Sequence, residues 1–125
     1  MVEIINDLPE YVAAYKASGA ISKQEYDQVV IRRVEQVASR FQQMNFLVLL
    51  ETGLDNYSVG ALVDYVKVSF KHFWKWNRMA IVTDQHIVRT GYAGLSHLVH
   101  GEIRTFPLSE YQSAREWVSL PPEVR

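Results

Sequence analysis

The stretch KVSFKHFWKWNRMAIVTD, residues 67–84, decides the fold, because it holds the end of one element and the whole of the next. Its first half sets Phe70, Phe73, Trp74 and Trp76 among His72 and the cations Lys67, Lys71, Lys75 and Arg78. Its second half, "RMAIVTD", is a short apolar run of the kind that fills the middle of a sheet. A helix running from a cap at Ser58 to about Trp76 and then a buried strand is the expected order. At about 100° per residue, Val59, Leu62, Val63, Val66, Phe70, Phe73 and Trp74 fall on one core-facing stripe. Tyr65, Val68, His72 and Trp76 make a second, narrower stripe, with Lys67, Lys71 and Lys75 beside it.

Upstream, "VEII" and "YVAAYKASG" read as two strands of a hairpin separated by "DLPEY". Ser22 and Glu25 have the spacing of a capping box, followed by apolar residues at helical intervals from Tyr26 to Phe41. "NFLVLLETG" is a continuous apolar strand. Downstream of residue 84, "QHIVRTGYAGLSHLVH" is a helix weakened by Gly91 and Gly94, and "EIRTFP" is a last strand. Ser109 and Gln112 form a second capping-box spacing before a short helix with Ala114, Trp117 and Val118. The order ββαβαβαβα specifies an α/β fold. It implies one domain over residues 1–125, with about five strands, mostly parallel, an antiparallel edge strand and four helices.

A 125-residue chain is of the size that builds one core. Its net charge of −1 offers no global attraction to nucleic acid, so no nucleic-acid partner is expected. Without cysteine there is no disulfide, thiolate metal site or thiol nucleophile. The start "MVEIINDLPEY" does not read as a signal peptide, and "FLVLL" is far too short to cross a bilayer. His97 and His100 share a helix face, but two histidines do not make a zinc site, so no metal or cofactor is expected. Glu51, Asp55, Asp64 and Asp84 fall near strand ends, where carboxylates also serve as caps. No catalytic motif is present, and no catalytic residue is assigned.

The strings "GALVDYVKVSFKHFWKWNRMAIVTD" and "GEIRTFPLSEYQSAREWV" resemble the SpoIIAA-like family, relatives of the STAS domain of anti-sigma-factor antagonists. The likeness rests on Ala61-Leu62 with Asp64 and Lys67, Arg78 to Val82 with Asp84, Glu102-Ile103-Arg104 with Phe106, and Ala114 with Trp117. The resemblance implies a small cytoplasmic α/β sandwich, also similar to CRAL-TRIO lipid carriers, without enzymatic activity. It further implies an apolar small molecule or lipid as ligand, peripheral association with the inner membrane face, homodimers, and helices able to open from the sheet. On that reading Phe70, Phe73, Trp74, Tyr92 and Leu95 line the ligand cleft. Tyr65, His72, Trp76, Lys71 and Lys75 form a membrane or dimer surface. The alternative is a signalling module with a protein partner. STAS antagonists carry a phosphorylated serine in an Asp-Ser-Ser-Gly segment, which here reads "DNYSVGAL". The matching position is Tyr57, with Ser58 next to it.

Overall fold

The computed structural model describes residues 1–53, 56–86 and 100–122. Five strands form one sheet in the order β1 (Val2–Ile4), β2 (Val12–Ala17), β3 (Met44–Leu50), β4 (Trp76–Val82) and β5 (Glu102–Phe106). β1 is antiparallel to β2, and the other three pairings are parallel. Because each strand lies beside its predecessor, the strand order never reverses. The crevice that doubly wound sheets offer at such a reversal is therefore missing from these five strands.

The interior strands are buried on both faces, which explains their unbroken apolar composition: β3 has six of its seven residues buried. The edge strand β5 has none fully buried and keeps the alternating pattern Glu-Ile-Arg-Thr-Phe. Helices cover both faces. On one, α1 (Lys23–Tyr26), a π turn at Asp27–Ile31, α2 (Arg32–Arg40) and α3 (Val59–Lys71) close over Tyr15, Phe46, Val48 and Ile81. On the other, α4 (Tyr111–Ser119) lays Ala114 and Val118 on Val12, Ala14, Leu47, Ala80 and Val82. The expected α/β architecture, with its mostly parallel sheet and antiparallel edge, is the one observed.

Three local expectations need correction. The helix from Ser58 ends at Lys71 and does not reach Trp76. His72 leaves the helical region at φ −110°, ψ 26°, residues Phe73–Lys75 make one 3₁₀ turn, and Trp76 opens β4. Aromatic residues fit a pleated strand, and Trp76 gains a strand partner in Met44 and an edge-on ring contact with Phe46 at 5.5 Å. At the Ser22–Glu25 box, only half of the reciprocal pair forms. Ser22 Oγ accepts from the Glu25 amide, while the Glu25 carboxylate accepts from the Val2 amide at 2.6 Å and so ties down β1. Ser109 is not a cap: it lies inside a 3₁₀ turn at Leu108–Glu110, and α4 starts without a side-chain cap. Asp84 Oδ1 takes over by accepting from the Leu108 amide at 2.8 Å.

The C-terminal end of α4 is clamped to the sheet. Asn45, fully buried in β3, donates through Nδ2 to the Val118 and Leu120 carbonyls and accepts from the Arg78 amide through Oδ1. Tyr11 donates its hydroxyl to the Ser119 carbonyl, and Arg78 reaches the carbonyls of Leu120 and Pro121. Carbonyls at a helix end have no partner within the helix, so these donors complete it.

Candidate functional site

The residues singled out around α3 separate into three environments: an outer flank, a packed inner side and the helix start. On the outer flank Val59 is 79% exposed and Val63, one turn later, 44%, with Lys67 exposed in the next turn. The flank leads to Trp74, 71% exposed on the 3₁₀ turn after the helix. Its indole is not isolated. Phe73 meets it edge-on at 4.9 Å and His100 at 5.1 Å, so three rings form one partly exposed cluster. The helical wheel puts Trp74 in the core and Trp76 outside; the structure reverses the two. Past Lys71 the chain is no longer an α-helix, so the 100° phase that placed both residues stops applying.

Of the residues expected on a membrane or dimer surface, Trp76, Tyr65, His72 and Lys75 turn to the inner side, while Lys71 stays exposed. Trp76 is 6% exposed, and Tyr65 packs against the same core. His72 Nε2 and Lys71 Nζ both lie 3.0 Å from Glu35 Oε1 on α2. Burial is the largest single influence on the Glu35 carboxyl and pushes it up. The hydrogen bonds from His72 and Lys71 together outweigh it and hold the carboxyl below its ordinary range. Lys75 donates to the carbonyls of Ala38 and Phe41, where its charge suits the C-terminal end of α2. Two of the three lysines in the stripe are therefore fastened to α2. Phe70 lies in α3 with its side chain outside the description, and Tyr92 and Leu95 lie outside the described residues, as do the glycines at 91 and 94.

Beneath α3 is a cavity of about 30 Å³ lined by Tyr26, Phe46, Tyr65, Trp76, Met79 and Ile103 among others. Sites for drug-sized ligands run to roughly 300–1,000 Å³, so this one has room for roughly two waters. Trp76 Nε1 is buried beside it with no hydrogen-bond partner among the described residues. A lone buried donor costs about 1–3 kcal/mol, which a water in the cavity would offset.

At the helix start, Tyr57 and Ser58 differ sharply. Tyr57 is buried, and its hydroxyl lies 3.0 Å from that of Tyr15. Burial pushes it up to about 12, with the Tyr15 hydrogen bond acting in the opposite direction. Ser58 is exposed, and its Oγ accepts from the Ala61 amide at 3.1 Å as the N-cap. A parallel bridge joins Tyr57 to Ile21, so Ser58 follows Tyr57 just as the exposed cap Ser22 follows Ile21. Gly60 lets the helices approach: a Cβ there would come within 2.8 Å of Lys23 Cβ.

The carboxylates near strand ends are engaged structurally. Glu51 pairs with Lys16, Asp64 with Lys23, and Asp84 holds the Leu108 turn; Asp55 lies outside the described residues. No group of three or more histidine or acidic side chains among the described residues is placed to hold a metal ion. No helix among them is long and apolar enough to cross a membrane. Sequence reasoning does not single out the pair Arg32 and Arg33, and nothing in their spacing marks them.

No curated protein matches the chain significantly. Among solved structures it is similar to an uncharacterised protein of the DUF3478 family, with a SpoIIAA-like fold, from Shewanella loihica PV-4. The TM-score is 0.67 at 20% identity, over 94% of this chain and 92% of the other. That likeness concerns the fold. A family model described as SpoIIAA-like matches residues 12–119, which takes in the sheet from β2 to β5, the site around α3 and the clamped helix α4. With the resemblance of residues 60–84 and 101–118 now set in that architecture, the chain belongs to the SpoIIAA-like family.

Proposed function

We propose that this protein is a non-enzymatic binding module that seats an apolar partner, foremost a lipid surface, against the outer flank of α3 and the turn that follows it. The observation that carries this reading is Trp74, 71% exposed yet held in orientation by Phe73 and His100. An indole in that position suits the interface of a bilayer, where its apolar body and polar N–H both find partners. Val59 and Val63 extend the apolar strip, and the exposed Lys67 suits anionic headgroups. The cavity beneath α3 is too small for an acyl chain, so the reading rests on the outer surface and not on a filled pocket.

Co-sedimentation with vesicles of phosphatidylcholine alone, and with added phosphatidylglycerol, tests it. Binding should rise with the anionic lipid and be lost in Trp74→Ala. If the unaltered protein stays in the supernatant with both vesicles, and native mass spectrometry finds no bound apolar molecule, the reading fails. Sedimentation velocity at several concentrations distinguishes a second copy of the chain as the occupant.

A second reading, a protein-interaction module of the anti-sigma-antagonist type, is favoured by one observation. Ser58 is exposed at the start of α3, where a phosphate would meet free helix amides. The buried Tyr57 is not available to a kinase. Pull-downs with Ser58→Asp and Ser58→Ala should recover different partners; the same partners from both would end this reading.

A further inference from the structure

The arginines among the described residues fall into two groups. Arg40 pairs with Glu10, Arg104 with Glu102 and Arg115 with Asp7, while Arg78 serves the carbonyls at the end of α4. Arg32 and Arg33, adjacent at the start of α2, have no acidic or carbonyl partner among the described residues. The nearby acids are committed elsewhere. Asp27 pairs with Lys23, Glu35 is held by Lys71 and His72, and Glu25 serves the Val2 amide and the chain's amino terminus.

Arg33 adds a specific anomaly: its Nε is buried without a hydrogen-bond partner. An arginine N–H out of water with no acceptor is costly, because each guanidinium donor prefers an oxygen in its plane. Both arginines line a groove of about 350 Å³ with Ile4, Gln28, Val29 and Gln36. The groove is shallow and open to solvent, so a ligand there would lie against its wall with part of its surface still in water. The groove runs along the π turn, where the Arg32 amide donates back to the Asp27 carbonyl, five residues earlier. Such turns are rare and occur often at functional sites, since the extra residue widens the helix locally.

We propose that this groove binds a small molecule bearing a carboxylate or phosphate next to a short apolar portion. The anion's oxygens would take the terminal N–H donors of Arg33, with Arg32 supplying the second charge and the buried Nε behind the contact reporting on it. Gln28 and Gln36 offer amide donors and acceptors at the groove walls, and Ile4 and Val29 offer contact for the apolar portion. None of the six belongs to the α3 flank or the Trp74 cluster, so this site stands independently of the lipid-surface reading.

The probes are inorganic phosphate, acetate and hexanoate, followed by NMR through the arginine Nε–Hε signals of the full chain at low salt. The expected result is a saturable shift of the Arg33 signal. Hexanoate should bind more tightly than acetate if the apolar portion is read, and phosphate should bind if charge alone suffices. Arg33→Lys, which keeps the charge and loses the planar fork, should weaken binding about tenfold. Arg32→Gln with Arg33→Gln should abolish it without changing the thermal midpoint greatly. If the double variant does not fold, Arg33→Lys and Gln36→Ala carry the test by their affinities. No saturable shift with any of the three probes, or affinity equal in Arg33→Lys and the unaltered protein, overturns the proposal.

Discussion

The two faces of the sheet solve the packing problem in different ways. Under α1, α2 and α3 the core is aromatic. Tyr15 meets Tyr26 and Phe46 edge-on, Tyr26 meets Tyr57, and Phe46 meets Trp76, all with ring centres 5.5–6.1 Å apart. Under α4 the fully buried core is Val12, Ala14, Leu47, Ala80, Val82, Ala114 and Val118, with the rings of Tyr11, Phe106, Tyr111 and Trp117 only at its margin, and the Asn45 clamp fixes the helix end. Small side chains let α4 sit close and be fixed by a few hydrogen bonds. Large rings interlock by shape but leave gaps, and the residual cavity and the orphan indole N–H both lie on the aromatic face.

That contrast can be broken by mutation. Trp76→Ala should be the most damaging change, at about 4 kcal/mol, because it empties the centre of the aromatic face; denaturant unfolding measures it. Trp76→Phe should cost far less than its lost volume suggests, since it also removes the unpaired donor. Asn45→Ala should cost about 3 kcal/mol, since it strips the Val118 carbonyl and the Arg78 amide of buried partners. A loss under about 1 kcal/mol would mean that Tyr11 and Arg78 hold the helix end without it.

The hydroxyl of Tyr57 gives the aromatic face a pH signature. Its folded value of about 12 lies above the ordinary phenol value of 10.0, so burial favours the neutral form. The resulting stability is fully present below pH about 10 and is lost as pH rises towards about 12. The size is about 2–3 kcal/mol by linkage. Alkaline unfolding curves of Tyr57→Phe should lack that step, and identical curves would place the ionisation elsewhere. The smallest effect on stability belongs to Trp74→Ala, expected within about 0.5 kcal/mol because the indole is mostly exposed. The same variant carries the largest expected effect on vesicle binding, which separates a surface kept for binding from one kept for packing.

Much of the fold was legible because its signals are local. The unbroken apolar run in β3 announces burial on both faces, and Ser22 and Ser58 cap the helices they precede. The capping-box partner of Ser22 was not legible, since Glu25 turns to an amide 23 residues away. Nor were the duties of Lys71, His72 and Lys75, which look like a free cationic stripe until α2 is laid beside them.

By itself, the sequence determined the alternation of strands and helices, the antiparallel edge, the family, and the density of aromatic residues around position 74. These follow from hydrophobic period and capping chemistry, which act over one or two turns of chain. Only the tertiary structure decided which tryptophan faces water. That outcome depends on where the helix yields to a strand, and β3 sets the point by pairing Met44 with Trp76 and packing Phe46 against its ring. The tertiary structure likewise decided that Arg32 and Arg33 stand without acids. Whether a surface charge is neutralised depends on neighbours brought near by the fold, not on its own spacing.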